Sequence, residues 1–341
     1  MSKHLFLAAS ALALSAGFAA AADKTLTISV YGASQDAYQA GLYTPFEEKC
    51  GCKLVIEQGN SSERLAKLEA NAAAPVVDVI AFSDANALEA AQKGLTQPLD
   101  HAKLSNIANL YDFAQDPVGD KAAVAYTFYG TSIAYDGAVI DSVDSWLDLF
   151  SDKLKGQVAL PNISTTQGPV TLYMIEKALG SEDPTFAKAI EKVAENRDNI
   201  VTFYEKGGQI PQLMQQGEIA AAPIGRFGWA NLIKTVPTAK WAAPKEGQTG
   251  GMNVLALVKG SQNEELAYEF IDYWLSAEVQ QAIALSLADS PVNKLVEVPA
   301  DVAENLSYGE EMAAAISFVP AQAQIEHRNS WLEGWNAKVA Q

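Results

Sequence analysis

Basic residues are scarce in this chain: 24 Lys and Arg face 41 Asp and Glu over 341 residues, a net charge of −17 with His neutral. Nucleic acid is therefore a poor partner, because no surplus of cations is available to release counterions from phosphate. Histidine is rarer still, with His4, His101 and His327 alone. A Ser-His-Asp triad has little to draw on, and no G-x-S-x-G turn occurs. The two cysteines, Cys50 and Cys52, have no His or Asp beside them and make a poor zinc site. After residue 22 no run is long and apolar enough to span a bilayer, and neither repeats nor low-complexity linkers are visible. What is present is the mixture of a packed globular protein, 49% hydrophobic and 19% charged. Its length suits roughly two domains of about 150 residues each.

The first 22 residues read as a secretory signal. Lys3 and His4 start it, residues 5–18 (LFLAASALALSAGF) are uncharged and apolar, and residues 20–22 (AAA) place small side chains before a cleavage point at Asp23. No cysteine stands at that point, so the mature chain is expected to be released into the periplasm and not lipid-anchored. The segment holds one Lys and no acid, which leaves 23 bases against 41 acids, a net of −18. Export permits a disulfide in Cys50-Gly51-Cys52, although an i,i+2 bridge closes a very small ring. The favoured reading is structural: Gly51 ends a helix in the left-handed cap while the flanking thiols pack or link. A redox-active pair is the alternative.

Period-two runs at 25–31 (TLTISVY), 53–57 (KLVIE), 78–82 (DVIAF), 157–161 (QVALP), 199–203 (NIVTF) and 219–224 (IAAAPI) predict strands. Helices are predicted between them. Thr44-Pro45-Phe46-Glu47 reads as a cap, a first-turn proline and a capping-box glutamate. Asn60 with Glu63 opens the run 62–72, where Leu65, Leu68 and Ala72 share a face. Asp84 opens a helix that Gly94 closes. Pro184 opens another, striped by Phe186, Ile190 and Val193. Strands alternating with helices predict an α/β architecture.

In that order of patterns the chain resembles the periplasmic substrate-binding proteins of ABC importers with type II topology, the group that includes spermidine/putrescine-binding and ferric-iron-binding proteins. Four stretches carry the likeness, which covers nearly all of the mature chain. They are Phe46 to Gly51 (FEEKCG) with 60–68 (NSSERLAKL); 78–84 (DVIAFSD) with 93–100 (KGLTQPLD); 126–136 (YTFYGTSIAYD) with 145–149 (SWLDL) and 154–161 (LKGQVALP); and 244–257 (PKEGQTGGMNVLAL) with 267–275 (AYEFIDYWL) and 290–293 (SPVN). The resemblance implies a two-lobed type II periplasmic binding fold. Each lobe would be a mixed, mostly parallel sheet flanked by helices, with the ligand cleft between them. Residues 23–130 plus 258–300 would form lobe one and 131–257 plus 301–341 lobe two, hinged near 128–132 and 255–260. It implies no catalysis, cofactor or metal, a monomer, and delivery of a small-molecule solute to an inner-membrane ABC permease.

Ligands of open α/β sheets sit beyond the carboxyl ends of strands. Together with the resemblance, this nominates Ser34, Gln35, Asp36, Ser61, Ser83 and Asp84 in lobe one. Phe128, Tyr129 and Thr131 are nominated at the hinge, and Ser164, Thr165, Thr166, Arg226, Phe227, Trp229 and Asn253 in lobe two. The competing reading of the hydroxyl residues is that they form turns and helix caps. The polyamine binders of this family hold their amines with aromatic walls and several carboxylates. Here Gly32-Ala33 stands where tryptophan is usual, the loop 162–167 has no acid, and Asn253 replaces an aspartate. Fewer carboxylates compensate buried ammonium groups poorly. Arg226 offers a planar fork for a carboxylate, phosphonate or phosphate, unless it pairs with Glu218 or Glu246. If Arg226 faces the cleft, an anionic or zwitterionic solute is favoured, with Asp36, Asp84 or Glu63 taking an amino group. Ferric iron is disfavoured for want of adjacent tyrosines and well-placed histidines. A phosphonate- or thiamine-type binder, a receptor feeding a sensor and an exported hydrolase are the remaining alternatives.

Overall fold

The computed structural model describes residues 24–340, so the predicted signal and its cleavage point lie outside the described residues. Twelve strands are Thr25–Val30 (β1), Lys53–Gln58 (β2), Val79–Ser83 (β3), Thr96–Gln97 (β4), Val124–Asp136 (β5), Val158–Pro161 (β6), Ile200–Tyr204 (β7), Ala221–Gly225 (β8), Ala239–Trp241 (β9), Gln248–Val258 (β10), Ser290–Pro291 (β11) and Ile316–Phe318 (β12). They form one curled mixed sheet in the order β2-β1-β3-β10-β5-β8-β6-β7. Parallel triplets lie at both ends, β2-β1-β3 and β8-β6-β7. The two longest strands, β5 and β10, run antiparallel between them. All six predicted strands form. The sequence periods did not separate β5 and β10, because both change surroundings midway and so keep no single alternation.

Burial divides the molecule around that central pair. One apolar cluster gathers β1 to β3, residues 123–128 of β5 and its approach, and residues 252–258 of β10. The helices Glu264–Trp274 and Ala277–Leu285 cover it. A second cluster gathers Ile133 and Tyr135 of β5, then β6, the helices Gln167–Ala178 and Ala187–Glu195, and finally Trp331, Trp335 and Val339. A smaller third cluster, around Ala159, Tyr204, Ile224 and Leu232, covers the other face of the β6–β8 sheet. The parallel ends of this one sheet, each packed into its own apolar core, give the two-lobed fold.

Local chemistry sets the helix ends. The helix Ser61–Ala70 carries the predicted capping box, with Asn60 Oδ1 accepting from Glu63 N and Glu63 Oε2 from Asn60 N. Leu65 and Leu68 are buried on it, while Ala72 lies past its end and is exposed. Ser83, one residue before the predicted Asp84, caps the helix Asp84–Gln92, and Gly94 follows it at φ +67°. Two predicted starts are corrected. Thr44 caps nothing, because the chain is already helical at Tyr43, and the Glu47 carboxylate accepts from Leu54 N. The helix predicted at Pro184 begins at Ala187, where buried Phe186 has φ +55° and Glu176 of the neighbouring helix accepts from Ala189 N at 2.7 Å. Cys50 and Cys52 are joined by a disulfide around Gly51, which takes the left-handed cap at φ +60°.

Candidate functional site

The carboxyl ends of β1, β2 and β3 meet beside the central strands. Ser83 N donates to Ser61 Oγ at 3.0 Å, and the two hydroxyls lie 3.5 Å apart. Next to them Asp84 is buried, its Oδ1 accepting from Ala85 N at 2.8 Å and its Oδ2 from Gln324 Nε2 at 3.3 Å. Burial pushes its carboxyl up to about 6, against the pull of its N–H donors. The Arg64 guanidinium covers the Tyr31 ring at 3.9 Å and donates to the carbonyls of Ala81 and Gly59. That one side chain ties together the loops after β2 and along β3. Ser34, at φ +55°, and Asp36 are exposed, and Gln35 Nε2 donates to Tyr31 O at 2.6 Å.

The central strands join this end to the other. Asn253 of β10 pairs with Ser83 on one side and Thr127 on the other, and Gly251 pairs with Tyr129. A Cβ at Gly250 would stand 2.0 Å from Tyr129 O, and one at Gly251 2.3 Å from Tyr129 Oη, so a side chain would have to displace backbone at the first position and the phenol at the second. Burial raises the Tyr129 hydroxyl, which lies within hydrogen-bond reach of Thr166 and feels the Asp84 charge. Phe128 is enclosed among Tyr111 and Phe113, and Thr131 donates from full burial to Gln167 Oε1 at 2.8 Å. Neither of those two side chains opens on solvent.

Beyond Tyr129 the wall becomes aromatic. Phe227 packs edge-on against the Tyr129 ring at 5.3 Å, yet is 66% exposed. Beside it the Arg226 guanidinium stands over the indoles of Trp229 (5.1 Å) and Trp241 (4.6 Å), which meet each other edge-on at 5.5 Å. Its Nη2 donates to the Glu304 carbonyl, and its Nε is buried without a partner. Burial lowers this guanidinium to about 10, partly offset by the Glu304 charge. Neither carboxylate proposed as its partner reaches it: Glu246 instead accepts from Ser145 Oγ at 2.6 Å and from Trp146 N. Ser164 and Thr165 serve their own turn, bonding Asn162, with Ser164 also reaching Glu205.

The structure thus brings Ser61, Ser83 and Asn253 together through hydrogen bonding and strand pairing, and sets Tyr129 beside Asp84, Thr166 and Phe227, the sequence neighbour of Arg226. Sequence reasoning missed Arg64, three residues from Ser61 in the stretch 60–68, as well as Trp241 and Gln324, which reach Arg226 and Asp84 from elsewhere in the chain. It also missed Asp289, which accepts from the Tyr38 hydroxyl and is pushed up by burial to about 8. Among the described residues no three of His, Cys, Asp or Glu converge as metal ligands.

Comparison with known proteins fits this geometry. The profile described as bacterial extracellular solute-binding protein matches residues 41–308. The spermidine/putrescine-binding periplasmic protein of Escherichia coli (strain K12) is 28% identical over 293 residues, covering 83% of this chain and 82% of that one. The gamma-aminobutyric acid-binding protein of Pseudomonas aeruginosa is 24% identical and covers 99% of this chain and 97% of that one. The crystal structure of an ABC transporter from Clostridium perfringens superposes with a TM-score of 0.86 at 29% identity, over 92% of this chain and 99% of that one. With its two-lobed sheet and a match over most of its length, the chain belongs to the bacterial extracellular solute-binding protein family.

Proposed function

We propose that this protein captures a small amphoteric solute, bearing a carboxylate at one end and an amine at the other, and hands it in the periplasm to an inner-membrane ABC permease. The carrying observation is Arg226: a guanidinium held against two edge-packed indoles, with its Nε unpartnered, next to the exposed Phe227 ring that packs on Tyr129. A fixed fork of this kind suits a carboxylate. Phe227 offers an exposed ring for the aliphatic middle of such a molecule. Ser61, Ser83, Tyr129, Thr166 and Asn253 supply neutral hydrogen bonds between the charged ends. Phe128 and Thr131, being enclosed, are left out of the contact set.

The same reading divides the chain into lobes that exchange at 129–132 and again near 249–251. The second exchange precedes 255–260 because residues 252–258 of β10 bury in the first cluster. One solute held by both walls favours the closed arrangement, and closure is the signal a permease reads. The chain is expected to act as a released monomer and to turn over none of its solutes.

Thermal-shift and calorimetric screening of the mature protein against γ-aminobutyrate, putrescine, spermidine and other amino acids tests the assignment. A ligand at a hundred times its dissociation constant adds about 2.7 kcal/mol of stability. Best binding by γ-aminobutyrate or a close ω-amino acid supports the proposal. A second reading, a simple diamine, is favoured by the relatives named for spermidine and putrescine. It wins if putrescine binds best and Arg226→Ala leaves its affinity unchanged.

A further inference from the structure

The C-terminal helix Ala321–Lys338 contributes to the second core cluster and also packs against the helix Asp84–Gln92. Its second half is fixed in the second: Trp331 stacks on Phe186 at 4.6 Å and donates to Pro184 O, and Trp335 meets Phe203 edge-on at 4.9 Å. Its first half lies on the helix Asp84–Gln92, which belongs to the first cluster. There Gln92 Nε2 donates to Gln322 Oε1 at 2.7 Å, and Gln324 Nε2 donates to Asp84 Oδ2. The Gln324 amide cannot be turned around without loss, because the same nitrogen donates at 3.1 Å to Val319 O, which only accepts. Both its N–H groups are therefore assigned, one to the helix entry and one to the carboxylate.

We propose that Gln324 is a positioning residue that couples lobe closure to amine recognition: anchored through its helix in the second cluster, it reaches across to the first and orients the Asp84 carboxylate for the solute. This rests on the reading that Asp84 meets the solute's amine. With Ala85 N on Oδ1, Gln324 on Oδ2 and the backbone N–H of Asp84 itself as a third donor, the carboxylate's roughly four acceptor sites still leave one for an ammonium group. The titratable and charged groups around Asp84 are Tyr31 at the end of β1, Tyr129 in β5, and Arg64 of the helix Ser61–Ala70, which covers the Tyr31 ring. Burial raises both tyrosines, so they stay neutral, and the C-terminal helix contributes the uncharged Gln324 amide. Separating the lobes would withdraw that amide and leave the buried carboxyl with one donor fewer, favouring its protonated form.

The decisive measurement is a ¹³C NMR titration of the Asp84 carboxyl in the solute-free full chain, compared between wild type and Gln324→Leu. The expected wild-type midpoint lies near pH 6. The variant midpoint should rise by roughly half to one unit, the effect of one lost donor. Gln92→Ala, which removes the neighbouring bond to Gln322, should leave it in place. Calorimetry with γ-aminobutyrate from pH 5 to 8 should show the affinity of Gln324→Leu failing at correspondingly higher pH, with about a two- to sixfold loss relative to wild type at pH 6. An unmoved carboxyl midpoint in Gln324→Leu overturns the inference. If the midpoint moves but Asp84→Asn binds γ-aminobutyrate as wild type does, the underlying reading of Asp84 fails instead, and Gln324 positions a carboxyl that serves no solute.

Discussion

At one end of the candidate cleft a carboxylate sits in apolar surroundings with N–H donors and no basic partner. At the other, a guanidinium lies against two edge-packed indoles with one carbonyl and no acidic partner in contact. Burial works against the charge in both places, yet with different outcomes. Asp84 is lifted to about 6, inside the range a bacterial envelope meets, whereas Arg226, lowered to about 10, remains a cation there. One end of the site can be switched by protons and the other cannot. An amphoteric solute would thus be held permanently by its acid and conditionally by its amine.

The comparison breaks most severely at the cationic end. Arg226→Ala should cost a carboxylate-bearing solute about a hundredfold in affinity, the worth of a charge-assisted pair in a desolvated site. The loss of putrescine binding, where measurable, should be under about threefold, because no carboxylate is involved. Arg226→Lys should recover little, since an ammonium lacks the fork and the planar face that lies against the indoles. Isothermal calorimetry with γ-aminobutyrate and putrescine on folded variants reads all three. Equal losses for the two solutes would make Arg226 a structural strut to Glu304 and remove the asymmetry between the ends.

At the acidic end the expected signs oppose one another. Asp84 is raised from 3.8 to about 6 in the folded state, so it binds protons more tightly folded than unfolded. Its contribution to solute-free stability is fully present below about pH 4 and lost as pH rises through 6, a change of about 3 kcal/mol. Solute affinity should move the other way, falling about tenfold between pH 7 and pH 5 as the carboxylate protonates. Asp84→Asn should flatten both profiles. Melting curves and calorimetry at matched pH values would separate them, and parallel slopes would contradict the assignment.

Between the two ends, Gly251 leaves the Tyr129 hydroxyl its room. Gly251→Ala should destabilise the protein by roughly 1–3 kcal/mol, since the new Cβ must displace the phenol or the backbone of β10. Because Tyr129 touches Phe227 and lies beside Asp84, affinity should fall with stability. A melting temperature and affinity both like wild type would mean that this approach is looser than it stands.

How much of this was legible in sequence follows from how far apart the contacting residues lie. The Asn60–Glu63 box, the helix after Ser83 and the glycine cap at Gly51 depend on neighbours within four residues, and their signals sit together in the chain. The Thr44 cap was misread because its evidence was local while the cause, a helical run arriving through Tyr43, lay upstream. At the site, Arg226 and Asp84 are visible as unusual residues at strand ends. Trp241, which touches Arg226, and Gln324, which bonds Asp84, come from outside those ends, Gln324 standing 240 residues from Asp84. No period or spacing encodes such a meeting. The resemblance to binding proteins supplied the fold, and burial then showed that Phe128 and Thr131 face away from solvent.

The smallest expected effect lies at the end of the sheet remote from both charged groups. The disulfide Cys50–Cys52 closes the helix Thr44–Cys50 just before β2 begins at Lys53. The residues that meet Ser83 follow the other end of that strand, about 20 Å away for six extended residues. A ring this short removes little freedom from the unfolded chain, on the order of 1–2 kcal/mol. Cys50→Ser with Cys52→Ser should lower the melting temperature by a few degrees and leave γ-aminobutyrate affinity within twofold. The Gly51 cap and the Cys52 N–H bond to Glu47 O would still end the helix without the bridge. A large loss of affinity in the double variant would mean that strain at β2's start reaches Ser61 and Ser83, and the cleft would then depend on the redox state of its scaffold.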